Sequence, residues 1–158
     1  MSTTTDPIAA LFAAANAVAL AGWLLLAGTL FVPRLRSSGW RVTGLVLPAV
    51  FAVAYVVALV AALRGGAAGG FDSIGAVRAL FADDRALTAG WVHYLAFDLF
   101  VGTWIAREGV RSGLPRLLVL PCLALTFLVG PVGLLAFLGL RAAVRPHAFT
   151  APSAESVA

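Results

Sequence analysis

The feature that most constrains this chain is an apolar run from Ile8 to Val32 that carries no charged side chain. At about 1.5 Å per helical residue it would be roughly 37 Å long, more than the roughly 30 Å of hydrocarbon in a bilayer. Three further apolar runs follow: Val42 to Leu63, also uncharged; Leu87 to Ala106, which holds His93 and Asp98; and Leu114 to Leu140, which holds Pro121 and Pro131. Charges and glycines separate them, and none alternates with a period of two, so the pattern predicts helices and not a β-barrel. With 61% hydrophobic and 11% charged residues and a mean hydropathy of +0.99, the chain has too little polar surface to wrap the core of a soluble domain. The expectation is all-α: one four-helix transmembrane bundle over residues 1–145, with helices at about 8–32, 42–63, 87–106 and 114–140. The polar tail, 146–158, is expected to be disordered.

Between the second and third runs, a Gly/Ala loop at Gly65–Gly70 precedes Phe71, Ile74, Val77, Leu80 and Phe81. That spacing predicts a short amphipathic helix lying in the membrane interface. Asp83 and Asp84 then read as N-caps of the third helix. Met1–Pro7 carries Asp6 and no basic residue, unlike a cleaved signal, so the first run is expected to stay. The fourth run is long enough to cross with a tilt or a kink at its prolines. Four crossings would put Arg34, Arg36, Arg41, Arg107, Arg111 and Arg116 on one side and Arg64, Arg78, Arg85, Arg141 and Arg145 on the other. Six against five leaves the orientation open under the positive-inside rule. Leu45-Val46-Leu47-Pro48 and Leu118-Val119-Leu120-Pro121 echo one another, a hint of two related hairpins that chance explains as well.

The formal charge of +4 comes from eleven basic residues, all arginine. They sit at the ends of the apolar runs, where they meet anionic headgroups, and form no face interleaved with aromatics, so nucleic acid is not an expected partner. Abundant Ala, Gly, Arg and Val without lysine fits a GC-rich bacterial genome, and the expected location is the bacterial cytoplasmic (inner) membrane. Cys122 stands alone and forms no intrachain disulfide.

An ionisable side chain in a bilayer helix costs about 2.5–3.5 kcal/mol, so His93 and Asp98 must be offset by partners or by function. On a helical wheel Trp91, Tyr94 and Asp98 share a stripe, and Tyr94, one turn before Asp98, could hydrogen-bond it. His93 is about 140° away around the axis and shares its face with Phe97, Phe100 and Trp104, which argues against a His–Asp dyad within this helix. Asp98, Tyr94 and His93 are the candidate catalytic residues. The bland alternative for Asp98 is a buried carboxylate paired with Asn16 or an arginine, and for His93 a packing or headgroup-level histidine. Asn16 reads first as interhelical glue, while Tyr55 and Thr126 read as interfacial or backbone-bonded. Trp91, Asn16, Trp23, Phe97 and Thr126 are candidate pocket walls for a substrate. With His93 and His147 the only histidines, a His-rich di-iron site or bis-His haem cannot be assembled, and no CxxC, P-loop or GxGxxG motif occurs. No metal and no cofactor are expected.

From Phe71 onward the sequence resembles the neoxanthin-synthase-like family, the abscisic-acid-deficient-four type of small membrane protein. The resemblance rests on Phe71-Asp72-Ser73 with Val77, Leu80 and Phe81, on the stretch Ala89 to Gly102, on Gly113 to Cys122 and on Leu125 to Leu134. The first half matches loosely, in its helix positions and in Pro33 and Pro48. The resemblance implies a four-helix membrane protein whose plant relatives are required to convert an epoxy-carotenoid into its allenic isomer. That reaction is redox-neutral, with one proton delivered to the epoxide oxygen and another leaving a polyene carbon, so acid–base groups beside an apolar slot would suffice. The expected partners are therefore the bilayer and a carotenoid-like isoprenoid or lipid, bound or isomerised. A non-enzymatic subunit or chaperone for a lipid-soluble partner and a small transporter are the alternatives, the last requiring a homo-oligomer around a polar path.

Overall fold

The computed structural model describes residues 6–144, and helices are the regular structure among them. Helix α1 (Pro7–Phe31) starts where the Asp6 carboxylate accepts from the Ile8 N–H at 3.0 Å, with Pro7 in the first turn, where a missing N–H costs nothing. Pro33 opens one helical run to Arg64: a 3₁₀ turn, α2 (Arg36–Arg41), a π segment (Val42–Val46) and α3 (Leu47–Arg64). The π segment ends just before Pro48, which has no N–H to give the preceding turn, and the widened turn accommodates that loss without ending the helix. The second helix thus begins about two turns earlier than the hydropathy implies.

The expected amphipathic helix is α4 (Ile74–Leu80), capped by the Ser73 hydroxyl, which accepts from the Ala76 N–H at 3.1 Å. Leu80 turns into the protein beside Ala62 and Ala86, while Phe71 and Ile74 are about four-fifths exposed. Asp83 caps α5 (Asp84–Arg111), accepting from the N–H groups of Arg85 and Ala86, and Asp84 is the first helical residue. This central helix runs beyond the expected 87–106 at both ends. It lies parallel to α1, with Asn16 beside Trp91 and Trp23 beside Gly102. It lies antiparallel to α3, with Gly44 beside Thr103, Tyr55 beside His93 and Ala61 beside Arg85. The hydroxyls of Thr43 and Thr103 meet at 2.8 Å, which satisfies two polar groups deep in the α3–α5 seam.

The fourth run differs from the expectation. It is not one helix over 114–140 but two antiparallel helices, α6 (Arg116–Val129) and α7 (Pro131–Val144). Gly130 has φ +43°, outside the right-handed region, and Pro131 after it cannot donate to the preceding turn, so the helix stops and reverses. The contacts fix the path. Val119 packs on Gly109, Gly130 reaches down to Asp98, Phe137 returns to Trp104 and Gly109, and Arg141 comes back to Glu108. Each arm has 14 residues, roughly 20 Å at about 1.5 Å per residue, short of a bilayer's hydrocarbon. Gly133 lets the arms close, since a Cβ there would collide with Thr126 and the Cys122 carbonyl. The proline-bearing echo has no structural counterpart: Pro48 opens a long helix, whereas Pro121 lies inside the short arm α6.

The hairpin redistributes charge. Arg34, Arg36, Arg41, Arg107, Arg111, Arg116 and Arg141 gather at one end, and Arg64, Arg78 and Arg85 at the other. Arg145 and the tail at 146–158 lie outside the described residues.

Candidate functional site: an apolar groove between α3 and α5

Between α3 and α5 a groove opens on the outer surface. Its wider part, about 470 Å³, is walled by Pro48, Ala52 and Tyr55 from α3 and by His93, Phe97 and Phe100 from α5. A second cavity of about 260 Å³ shares Tyr55 and His93 and continues past Leu59 and Tyr94 to Phe71 and Phe81 beside α4. Aromatic contacts order the joint: the His93 ring lies 4.5 Å from Phe97, 5.9 Å from Tyr55 and 6.3 Å from Tyr94, centre to centre. An imidazole and two phenols therefore stand along a slot whose other walls are hydrocarbon. Such a slot can hold a long apolar molecule and move protons at one place along it.

The remaining candidates separate. Asp98 is half-buried and lies outside this lining, facing the tip of the α6–α7 hairpin. A Cβ on Gly130 would sit 2.8 and 3.2 Å from its two oxygens. No hydrogen bond to Asp98 forms among the described residues, so neither Tyr94 nor Asn16 pairs with it, although it and His93 are near enough to feel each other's charge. Asn16 instead ties α1 to α5: its amide donates to the Phe12 carbonyl at 2.8 Å and accepts from the Trp91 indole at 3.0 Å. Phe12 and Trp91 stack beside that bond at 5.7 Å. Trp23 is core, pressed against Gly102 and 5.6 Å from Phe127. Thr126 is fully buried and donates to the Cys122 carbonyl at 2.8 Å. Of the predicted site residues, His93, Tyr94 and Phe97 come together, while Asp98, Asn16, Trp91, Trp23 and Thr126 do not join them.

Two features escaped the sequence reading. Tyr55, read as an interfacial residue, faces His93 across the groove; its signal was a lone phenol in an uncharged run. Glu108, buried at the arginine end, accepts from Arg111 at 2.8 Å and Ser112 at 3.1 Å and pairs with Arg141 at 3.0 Å, joining the hairpin's return arm to α5. Its signal was a carboxylate set between Arg107 and Arg111. Among the described residues, no three of His, Cys, Asp and Glu converge as a metal site.

The profile of the ABA DEFICIENT 4-like family matches residues 10–137. The chain belongs to this family. The match takes in the first half, where the resemblance was loosest, and so includes both walls of the groove, all of α6 and the first half of α7. No curated protein and no solved structure matches the chain.

Proposed function

We propose that this chain is an integral membrane protein that holds a carotenoid-like isoprenoid in the α3–α5 groove and isomerises it by acid–base chemistry. The observation that carries the reading is the groove itself, apolar along its length with His93 and Tyr55 facing one another at its joint. Family membership supports it. For an epoxide isomerising to an allenic alcohol, one C–O bond breaks, the oxygen gains a proton and a polyene carbon loses one, so no external reagent is consumed. His93 is suited to take the carbon proton, and the Tyr55 or Tyr94 phenol to supply the oxygen's. Pigment analysis in a carotenoid-producing bacterial host tests this. A new pigment isomer is expected with the wild type and its loss with His93→Ala and Tyr55→Phe at unchanged protein levels. Identical pigments with and without the wild type in several host backgrounds would sink the reading.

The membrane placement rests on composition and burial together. Two helical runs, Pro7–Phe31 and Pro33–Arg64, are long and apolar enough to cross, yet only 22% and 17% of their most apolar windows is buried within the protein. A helix from a soluble core would be covered by its own chain. Three crossings, by α1, α2–α3 and α5, with α6–α7 as a re-entrant hairpin, put seven of the ten described arginines on one side and three on the other. That bias favours the arginine end in the cytoplasm, and α4 lies at the opposite interface with Phe71 and Ile74 toward lipid. Thiol labelling in intact and opened vesicles checks it, because native Cys122 is buried. Ser37→Cys and Ala142→Cys should label from the same side and Ser73→Cys from the other. If Ala142→Cys labels with Ser73→Cys, the fourth run crosses after all.

One observation favours a second reading, a small transporter. Among the described residues Asp98 has no hydrogen-bond partner, and it lies midway along α5 against the reversal of a broken helix, an arrangement that secondary transporters use for ion and substrate sites. Asp98→Asn tests this second reading: transport should fail with pigment chemistry intact, and unchanged transport would remove the support for it.

A further inference from the structure

One helical turn beyond Phe100, the same stripe of α5 leads out of the groove into a cavity of different character. It measures about 530 Å³ and is lined by Trp40 of α2 with Trp104, Arg107, Glu108, Val110 and Arg111 of α5. The Arg107 guanidinium lies over the Trp40 ring at 5.9 Å and has no carboxylate in ion-pair range among the described residues. Trp40 is held in place by donating to Thr29 at 3.0 Å, and Trp104 by its edge-on contact with Phe137 at 5.6 Å. Glu108 does not neutralise the pocket, because Arg111 and Arg141 both pair with it and outweigh its single charge. The result is a positive cavity with two indole walls, opening at the arginine-rich end.

We propose that this cavity binds the phosphate of an anionic lipid headgroup. A phosphate diester would accept forked hydrogen bonds from Arg107, with Arg111 adding charge at the rim, the geometry in which guanidinium outperforms ammonium. The indoles suit the glycerol level of a leaflet, where aromatic side chains with one polar edge settle. A soluble phosphate would satisfy the arginines equally. The lipid is favoured because Phe100 and Phe97, directly below on α5, give an acyl chain an apolar path that a free anion has no use for. The acyl path past Phe97 is part of the groove, so a lipid held this way and an isoprenoid would compete for it, while the phosphate contacts at Arg107 lie outside the groove.

Native mass spectrometry of the full chain released from phosphatidylcholine nanodiscs doped with phosphatidylglycerol provides the test. The wild type should retain phosphatidylglycerol in preference to the neutral lipid, and Arg107→Ala and Arg107→Gln should each lower retention about tenfold, the loss of one charge-assisted contact. Arg34→Ala, which removes a charge at the same end outside the cavity, should leave it unchanged. Equal retention across wild type and all three variants would overturn the proposal. A second arm titrates inorganic phosphate into neutral nanodiscs and follows tryptophan fluorescence. A saturable change that Arg107→Ala abolishes, without any phosphatidylglycerol preference, would give the cavity to soluble phosphate and overturn the lipid assignment.

Discussion

Helix α1 and the segment from Arg116 to Val144 are similarly apolar and comparable in length, yet α1 runs from one end of the molecule to the other while the segment goes halfway and returns. The difference does not lie in hydropathy. It lies in the backbone: α1 has its one proline, Pro7, in the first turn, where no donor is lost, whereas the other apolar runs meet a missing donor further in. At Pro48 a π turn carries the helix past the defect. At Gly130-Pro131 the glycine takes a positive φ and the reversal is closed by local bonds, Gly130 N–H to Thr126 O at 2.9 Å and Gly133 N–H to Gly130 O at 3.0 Å. Because unsatisfied backbone groups are costly in hydrocarbon, such a reversal survives only when its polar groups are internally bonded and covered by protein. Length and apolarity say that a segment prefers lipid; they do not say that it crosses.

The comparison can be broken hardest at Glu108, which ties the return arm to α5. Glu108→Ala would remove a buried carboxylate that Arg111, Ser112 and Arg141 share and should cost about 3–5 kcal/mol, read by chemical or thermal unfolding in detergent. A cost below about 1 kcal/mol would mean that packing alone holds α7. Next, Gly130→Val forces a branched side chain into a left-handed conformation and against the Asp98 carboxylate. It should cost roughly 2–3 kcal/mol, while Gly139→Ala, in open space on α7, should be neutral or slightly stabilising. Equal behaviour of the two glycines would contradict a specific turn at Gly130. Trp91→Phe keeps the aromatic contact with Phe12 but removes the bond to Asn16, so a loss of about 1 kcal/mol is expected in the same assay, marking the α1–α5 seam. Smallest of all, Leu24→Ala on the exposed face of α1 should change stability by less than about 0.5 kcal/mol, and a larger loss would point to a protein partner on that face.

Much of the local structure was legible in the sequence because it depends on neighbours in the chain. Asp83 caps the helix that begins just after it, and the spacing of Phe71, Ile74 and Leu80 gives α4. The candidate site was legible only in part. A helical wheel correctly grouped His93 with Phe97 and Phe100, since residues on one face stay together whatever the partner. It could not show that Tyr55, far away in the chain, stands opposite His93. Nor could it show that Asn16 is taken up by Trp91 and that, among the described residues, Asp98 has no hydrogen bond.

By itself, the sequence determined that this chain is helical, rich in bilayer-length apolar runs and a member of its family. Those properties follow from local propensity, total apolar surface and motif content. Tertiary structure alone decided that the fourth run doubles back and that seven of the ten described arginines share one end. It also decided that the proton-carrying side chains of α3 and α5 meet across an apolar slot. Each of these depends on which distant residues a turn or a helix crossing brings together, and a Gly-Pro pair reads as a kink or a reversal only once the contacts of both arms are known.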